Sequence, residues 1–174
     1  MNDLQNPMTG FKLLEQAFSQ GFRMRHIPET EDIYIEIDKG LTGQRYTFAR
    51  LKDLKVQQLV VLDENQPLHG LPCFCLFYGT LKELRRKGLT TQFIQNVLKL
   101  FKQDKPLFIG GSTWQKGEAL IVEFSKHYGT RFKYVIAPHE LHSEQIVKLR
   151  NQFDLKVLLY SEATEQNIET AEVL

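Results

Sequence analysis

The sequence predicts an α/β fold in which an antiparallel meander leads into a mixed sheet with βαβ units. Three observations carry that expectation. Ile33–Ile37, Arg45–Leu51 and Gln57–Leu62 are short runs rich in β-branched and aromatic residues, and Gly40–Gly43 forms a turn between the first two. Cys73–Tyr78 reads as a buried central strand that runs through a basic turn, Arg85-Arg86-Lys87-Gly88, into an amphipathic helix opening near Leu89 or Thr90. Beyond residue 100 short strands alternate with helices of about a dozen residues, the signature of parallel βαβ units.

Taken in order, Phe11–Phe18 has apolar residues at helical spacing and should form a first helix ended near Gly21. The three meander strands follow, and Asp63-Glu64-Asn65-Gln66-Pro67 is expected to break the third before the central strand begins. The helix after the basic turn should run from Thr90 to Phe101. Leu107–Ile109 is a short strand entering Gly110-Gly111-Ser112-Thr113, and Glu118–Tyr128 is an amphipathic helix stopped by Gly129. Phe132–Ala137 is a strand closed by Pro138, and Ser143 caps a helix reaching Phe153. Val157–Tyr160 is a further strand, and Thr164 opens a last helix. The chain stops at Ala171-Glu172-Val173-Leu174, which reads as the start of a strand.

At 174 residues the chain is one large domain or two very small ones, with 42% hydrophobic and 25% charged residues, enough apolar material for a core. A formal net charge of +1 excludes bulk electrostatic capture by nucleic acid or by a membrane surface. The one local imbalance is Lys82–Lys87, four cations against the single carboxylate Glu83. No apolar run approaches the roughly 20 residues of a membrane span, and the polar N-terminus lacks a signal-peptide pattern. Cys73 and Cys75 occupy alternate positions of one strand, poor geometry for a disulfide. Both are expected to be buried thiols in a reducing cytoplasm. The five histidines (26, 69, 127, 139 and 142) are scattered, so no metal site is expected. The sequence does not specify an oligomeric state.

A strand that passes through a basic turn into a helix presents free backbone N–H groups and the positive end of the helix dipole. That combination suits a phosphate or pyrophosphate. The same stretch resembles the GNAT family of N-acetyltransferases. The likeness covers roughly residues 20–100, carried by Arg45-Tyr46-Thr47-Phe48-Ala49-Arg50, the hairpin through Pro67, Gly70-Leu71-Pro72-Cys73-Phe74 and Arg85-Arg86-Lys87-Gly88-Leu89-Thr90. The family's pyrophosphate loop reads Gln/Arg-x-x-Gly-x-Gly/Ala. Arg85 and Gly88 match it, while Thr90 replaces the small last residue. The resemblance implies that Arg85, Arg86, Lys87, Gly88, Leu89 and Thr90 bind acetyl-CoA, the Thr90 hydroxyl being a further donor to the diphosphate. An amine would be the acceptor, with Glu83 as candidate base and Tyr128 as candidate acid. The family's cofactor-side helix commonly begins Asn-x-x-Ala; here Ala119 is present and Lys116 stands at the asparagine position.

Residues 100–174 resemble another family. Lys105-Pro106-Leu107-Phe108-Ile109-Gly110-Gly111-Ser112-Thr113-Trp114, Val135-Ile136-Ala137-Pro138-His139-Glu140 and Tyr160-Ser161-Glu162-Ala163-Thr164 look like the donor domain of 3-deoxy-D-manno-octulosonic acid (Kdo) transferases, which have two Rossmann-like domains. That likeness implies a nucleotide-sugar site for CMP-Kdo, with Ser112 and Thr113 at phosphate and His139 and Glu140 lining the cleft. The expected acceptor domain does not precede it and the rest of the donor domain does not follow, so this piece is not expected to transfer Kdo alone. The chain therefore reads as a composite, 1–100 GNAT-like and 101–174 Rossmann-like, joined between Thr90 and Gln103. Residues 106–137 also supply the strand, helix and strand that would complete an acyltransferase sheet beside Cys73–Tyr78. The favoured reading is an acetyltransferase-type protein, ahead of a nucleotide-sugar-binding piece and of a binding module without turnover.

Overall fold

The structure is a computed structural model and describes residues 7–68, 70–102, 107–110, 133–135, 147, 150–152, 154, 156–158, 162 and 164–171. Its elements are α1 (Pro7–Ser19), β1 (Arg25–His26), β2 (Ile33–Lys39), β3 (Gln44–Lys52), β4 (Lys55–Leu68), β5 (Leu71–Thr80), α2 (Leu89–Leu100), β6 (Leu107–Gly110), β7 (Lys133–Val135) and α3 (Glu165–Thr170). Strands β1 to β4 are hydrogen-bonded neighbours in chain order, and β6 pairs with β7. Two compact units divide the chain: Met1–Glu64 with Leu76–Lys102, and Asn65–Cys75 with Gln103–Leu174.

In the first unit β2–β4 form the expected antiparallel meander, and β1 pairs antiparallel with β2. Its register places Ile35, Phe48 and Val60 side by side, and likewise Tyr34, Ala49 and Leu59. Because side chains alternate along a strand, these two rows face opposite sides of the sheet. Phe11 and Phe18 of α1 pack with Met24, Ala49, Val56 and Leu59 on one side. On the other side lies α2, whose buried stripe is Phe93, Ile94 and Val97. Arg50 sits with its guanidinium carbon 5.3 Å from the Phe93 ring centroid, and Tyr46 meets Phe101 edge-on at 5.1 Å. Helix α1 ends in a Schellman turn. Gly21 is left-handed (φ 95°), its N–H donates to Phe18 O (3.1 Å), and Phe22 N–H reaches back to Ala17 O (3.0 Å).

Strand β1 has no counterpart in the sequence reading, since two exposed residues carry no periodicity. The expected break at Asp63–Pro67 is overturned: β4 runs on to Leu68. The register with β3 begins at Arg45 and Asp63, so these residues project beyond it, where a proline's missing N–H is tolerated. The projecting ends of β4 and β5 belong to the second unit. There Asn65 Nδ2 donates to Cys75 Sγ at 3.7 Å, and left-handed Gly70 (φ 78°) lies in the connection. Cys73 is buried as expected, but Cys75 is only half-buried, because successive positions of this projecting arm are unequally covered.

Strands β6 and β7 pair in parallel, Leu107 with Lys133 through Ile109 with Val135. The helix expected between them lies outside the described residues. Val157 forms an isolated bridge residue rather than the start of a described strand, and its carbonyl accepts from Arg150 Nε (3.1 Å) and Arg150 NH2 (2.6 Å). Thr164 caps α3 as expected, its side chain accepting from Asn167 N–H at 3.3 Å. Among the described residues no helix is long and apolar enough to cross a membrane.

The β3–β4 connection consists of Asp53 and Leu54, both left-handed (φ 51° and 59°) between the paired Lys52 and Lys55. That is the two-residue hairpin turn that favours Asn-Gly. A side chain in the left-handed region costs about 1–2 kcal/mol, and Leu54 is half exposed, so little burial offsets it. The double substitution Asp53→Asn with Leu54→Gly should therefore stabilise the protein by about 1 kcal/mol after the added chain entropy of glycine, read as a higher urea midpoint with unchanged slope.

Arg45 lies between two cross-strand carboxylates. It hydrogen bonds Asp38 through Nε (2.8 Å) and pairs with it through NH2, while Asp63 stands opposite on β4. Asp63 Oδ1 is buried without a hydrogen-bond partner, pressed where a Gly40 side chain would be. Burial raises the Asp63 pKa, opposed by the attraction of Arg45 and reinforced by Asp38. A raised folded pKa means that the native state holds this proton more tightly than the unfolded chain. The stabilisation is complete below the ordinary aspartate range (about 3.9) and is lost as pH rises through the folded value. Asp63→Asn should accordingly be more stable than the parent at pH 7, an advantage that disappears by pH 3. Urea unfolding at the two pH values checks this; a loss at pH 7 would mean that Arg45 outweighs burial.

Candidate functional site

Strand β5 ends at Thr80, and its exit is built in four short steps. Leu81 N–H donates to Gln57 O of β4 (3.0 Å), holding the start of the turn to the sheet. Lys82–Leu84 then forms a short 3-10 turn, absent from the sequence reading, closed by Leu84 N–H to Leu81 O (2.9 Å). Arg85 is extended and Arg86 left-handed (φ 61°). Gly88, also left-handed (φ 72°, ψ −6°), is the N-cap of α2.

The helix makes its first intrahelical bond from Gln92 N–H to Gly88 O (3.1 Å). The N–H groups of Leu89, Thr90 and Thr91 therefore have no partner within the helix, and no side chain caps it. A Cβ at Gly88 would meet nothing within 4 Å, so the α-carbon of this residue faces open space among the described residues. Lys82, Glu83, Arg85, Arg86, Lys87 and Gly88 are exposed, and Leu89 and Thr90 half-buried. The cations and the helix dipole bring one sign of potential to this corner.

Two of the expected site residues are engaged with Thr80 at the end of β5. Arg85 Nε donates to Thr80 O (2.8 Å), returning the guanidinium to the end of the strand. The Thr90 hydroxyl lies 2.7 Å from that of Thr80 and is engaged there. Thr80 is 4% exposed, so the Thr90 hydroxyl is engaged with a partner held in the core.

Three residues to which the sequence reading gave no role at the turn lie behind the helix opening. Gln58 on β4 is 1% exposed. Its Nε2 donates to Leu89 O (2.8 Å), while its Oε1 accepts from Arg50 NH1 (2.8 Å). A guanidinium on one side and a carbonyl on the other allow only this orientation of the amide. Arg50 in turn pairs with Asp32 at 3.0 Å. A signal for Gln58 was present: it shares the alternation of Val60 and Leu62, a polar residue in an inward-facing series.

On β5, burial pushes the Cys73 thiol up to about 11, with Cys75 reinforcing the shift. Cys73 is therefore protonated at neutral pH and unsuited to act as a nucleophile. Burial also raises the Tyr78 phenol above its ordinary value. Among the described residues no cluster of three or more His, Cys, Asp or Glu side chains could hold a metal ion. Tyr128 and the expected nucleotide-sugar residues Ser112, Thr113, His139 and Glu140 lie outside the described residues.

No protein-family model matches the chain, and no curated protein matches it. A solved structure similar to it is that of an aminoglycoside acetyltransferase, meta-AAC0020, from an uncultured soil metagenomic sample in complex with sisomicin. The two share 11% identity over 71% of this chain and 79% of that chain, with a TM-score of 0.39. A likeness at that score carries no argument about this protein. The comparisons lend no support to the resemblance between residues 100–174 and Kdo transferases.

Proposed function

We propose that the protein binds an acyl-CoA thioester, acetyl-CoA in the simplest case, through Arg85–Thr90 and transfers the acyl group to an amine. The observation that carries this reading is the left-handed Gly88 opening α2, with open space at its α-carbon and three N–H groups free of helical partners beside it. A pyrophosphate needs close backbone approach, several convergent N–H donors and positive potential, and this turn offers all three. The match of Arg85 and Gly88 to the pyrophosphate loop of N-acetyltransferases adds the chemical identity of the ligand.

Acyl transfer to an amine asks little more of a protein than orientation and proton transfer. The amine nitrogen attacks the thioester carbonyl, the C–S bond breaks, the nitrogen gives up a proton and the departing thiolate takes one. Glu83 is proposed as the base and Tyr128 as the acid. The buried, protonated Cys73 argues for direct attack by the amine over an acyl-cysteine intermediate at that residue.

Thermal unfolding with and without acetyl-CoA tests the reading. At a hundredfold excess over the dissociation constant, binding to the folded state should add about 2.7 kcal/mol of stability. Gly88→Asn is the discriminating variant, because asparagine accepts the left-handed conformation yet places a side chain over the backbone that the pyrophosphate must approach. It should fold and lose the acetyl-CoA shift. An unchanged shift in Gly88→Asn, or none in the parent protein, would overturn the assignment, and a shift with CMP alone would redirect it to a nucleotide-sugar ligand.

A further inference from the structure

Gln58 and Thr80 are the two polar side chains buried among the described residues. Both direct hydrogen bonds to the first two residues of α2: Gln58 to the carbonyl of Leu89, Thr80 to the hydroxyl of Thr90. Burying an amide or a hydroxyl gives little net stability even when its bonds are made, and leaving one unbonded is costly. Such groups instead select one arrangement from among several that apolar packing alone would allow.

The fully buried apolar residues of α2 are Phe93, Ile94 and Val97, with Phe101 at its C-cap, all beyond the first turn, where Leu89 is half-buried. They hold the body of the helix, whereas its first turn has no fully buried apolar anchor among the described residues. Gln58 and Thr80 supply that missing constraint from two different strands, β4 and β5. The Gln58 amide is itself held by Arg50, which is braced by Asp32 and lies over Phe93.

We propose that Gln58 and Thr80 are positioning residues that aim the Leu89–Thr91 N–H groups from within the core, so that anion affinity at the turn is set by side chains that never touch the ligand. The proposal rests on the reading of Arg85–Thr90 as the anion site, and it goes beyond that reading by assigning its preorganisation to particular buried groups.

Two near-isosteric variants test it in the full chain. Gln58→Glu keeps an acceptor for Arg50 but has no N–H for Leu89 O, and Thr80→Val removes the hydroxyl that faces Thr90. Amide exchange is read at Gln92, bonded to Gly88 O at the opening of α2, and at Phe101, bonded to Val97 O at its far end. In the free protein each variant should speed exchange at Gln92 at least tenfold while leaving Phe101 within about twofold, a fraying confined to one end. The affinity for acetyl-CoA, measured by calorimetry on folded protein, should weaken about tenfold. Equal acceleration at both amides, or unchanged affinity alongside a lowered urea midpoint, would make the two residues merely structural and overturn the proposal. If the parent protein does not bind acetyl-CoA, the proposed function falls, while the Gln92-to-Phe101 comparison still decides whether Gln58 and Thr80 hold the opening.

Discussion

Strand β3 admits only one register, because a one-residue slip would exchange its two faces. Tyr46, Phe48 and Arg50 point to the side covered by α2, while Ala49 lies against α1. Both faces are buried, so a slip would move Phe48 toward α1 and bring Ala49 under α2. Much of the first unit follows from this. The alternation that buries Phe48 also carries Arg50 inward, and the cross-strand register then brings Arg50 beside Gln58. A long cationic side chain on a core-facing row is tolerated because its head finds Asp32, the Gln58 carbonyl and the Phe93 ring.

The opening of α2 shows how backbone conformation and polar burial divide the work. Gly88 relieves the steric problem of turning into a helix from a left-handed residue, and Gln58 and Thr80 decide where the helix points once it has begun. Arg85 contributes to the turn itself by folding back to Thr80 O. Its role in any ligand interaction is thus combined with a structural one, although it is exposed like Arg86 and Lys87. Among the described residues no side chain caps this helix end, and a turn optimised for stability alone would place Ser, Thr, Asp or Asn at the N-cap instead of glycine.

The hairpin tip at Gly40–Gly43 displays a different constraint. Side chains at Gly40 and Gly43 would collide with the carboxylates of Asp63 and Glu64. Glu64 holds the tip, its Oε2 accepting from Gln44 N–H at 2.8 Å and its backbone carbonyl from the Thr42 hydroxyl. Asp63 is the member left with an oxygen lacking a partner, and burial raises its pKa. The tip is secured by one satisfied carboxylate and crowded by one that is not.

The sequence by itself determined the meander, the central strand and the helix after it, because alternation and helical spacing are local properties recorded in consecutive residues. It also determined the Gly21 and Thr164 helix ends, where one residue's backbone freedom or side-chain oxygen suffices. The glycine that opens α2 was legible for the same reason. Tertiary structure alone decided that β4 continues through Pro67, since a proline's tolerance depends on whether a neighbouring strand calls on its N–H. It alone showed that Thr90 is engaged with Thr80 and that Arg85 turns back, because those partners come from separate elements. Gln58 stood in an inward-facing series from the start, but its meaning depended on Arg50 and Leu89, residues 8 and 31 positions away. Local patterns specify which elements form; the partners of a buried polar group are chosen only when those elements meet.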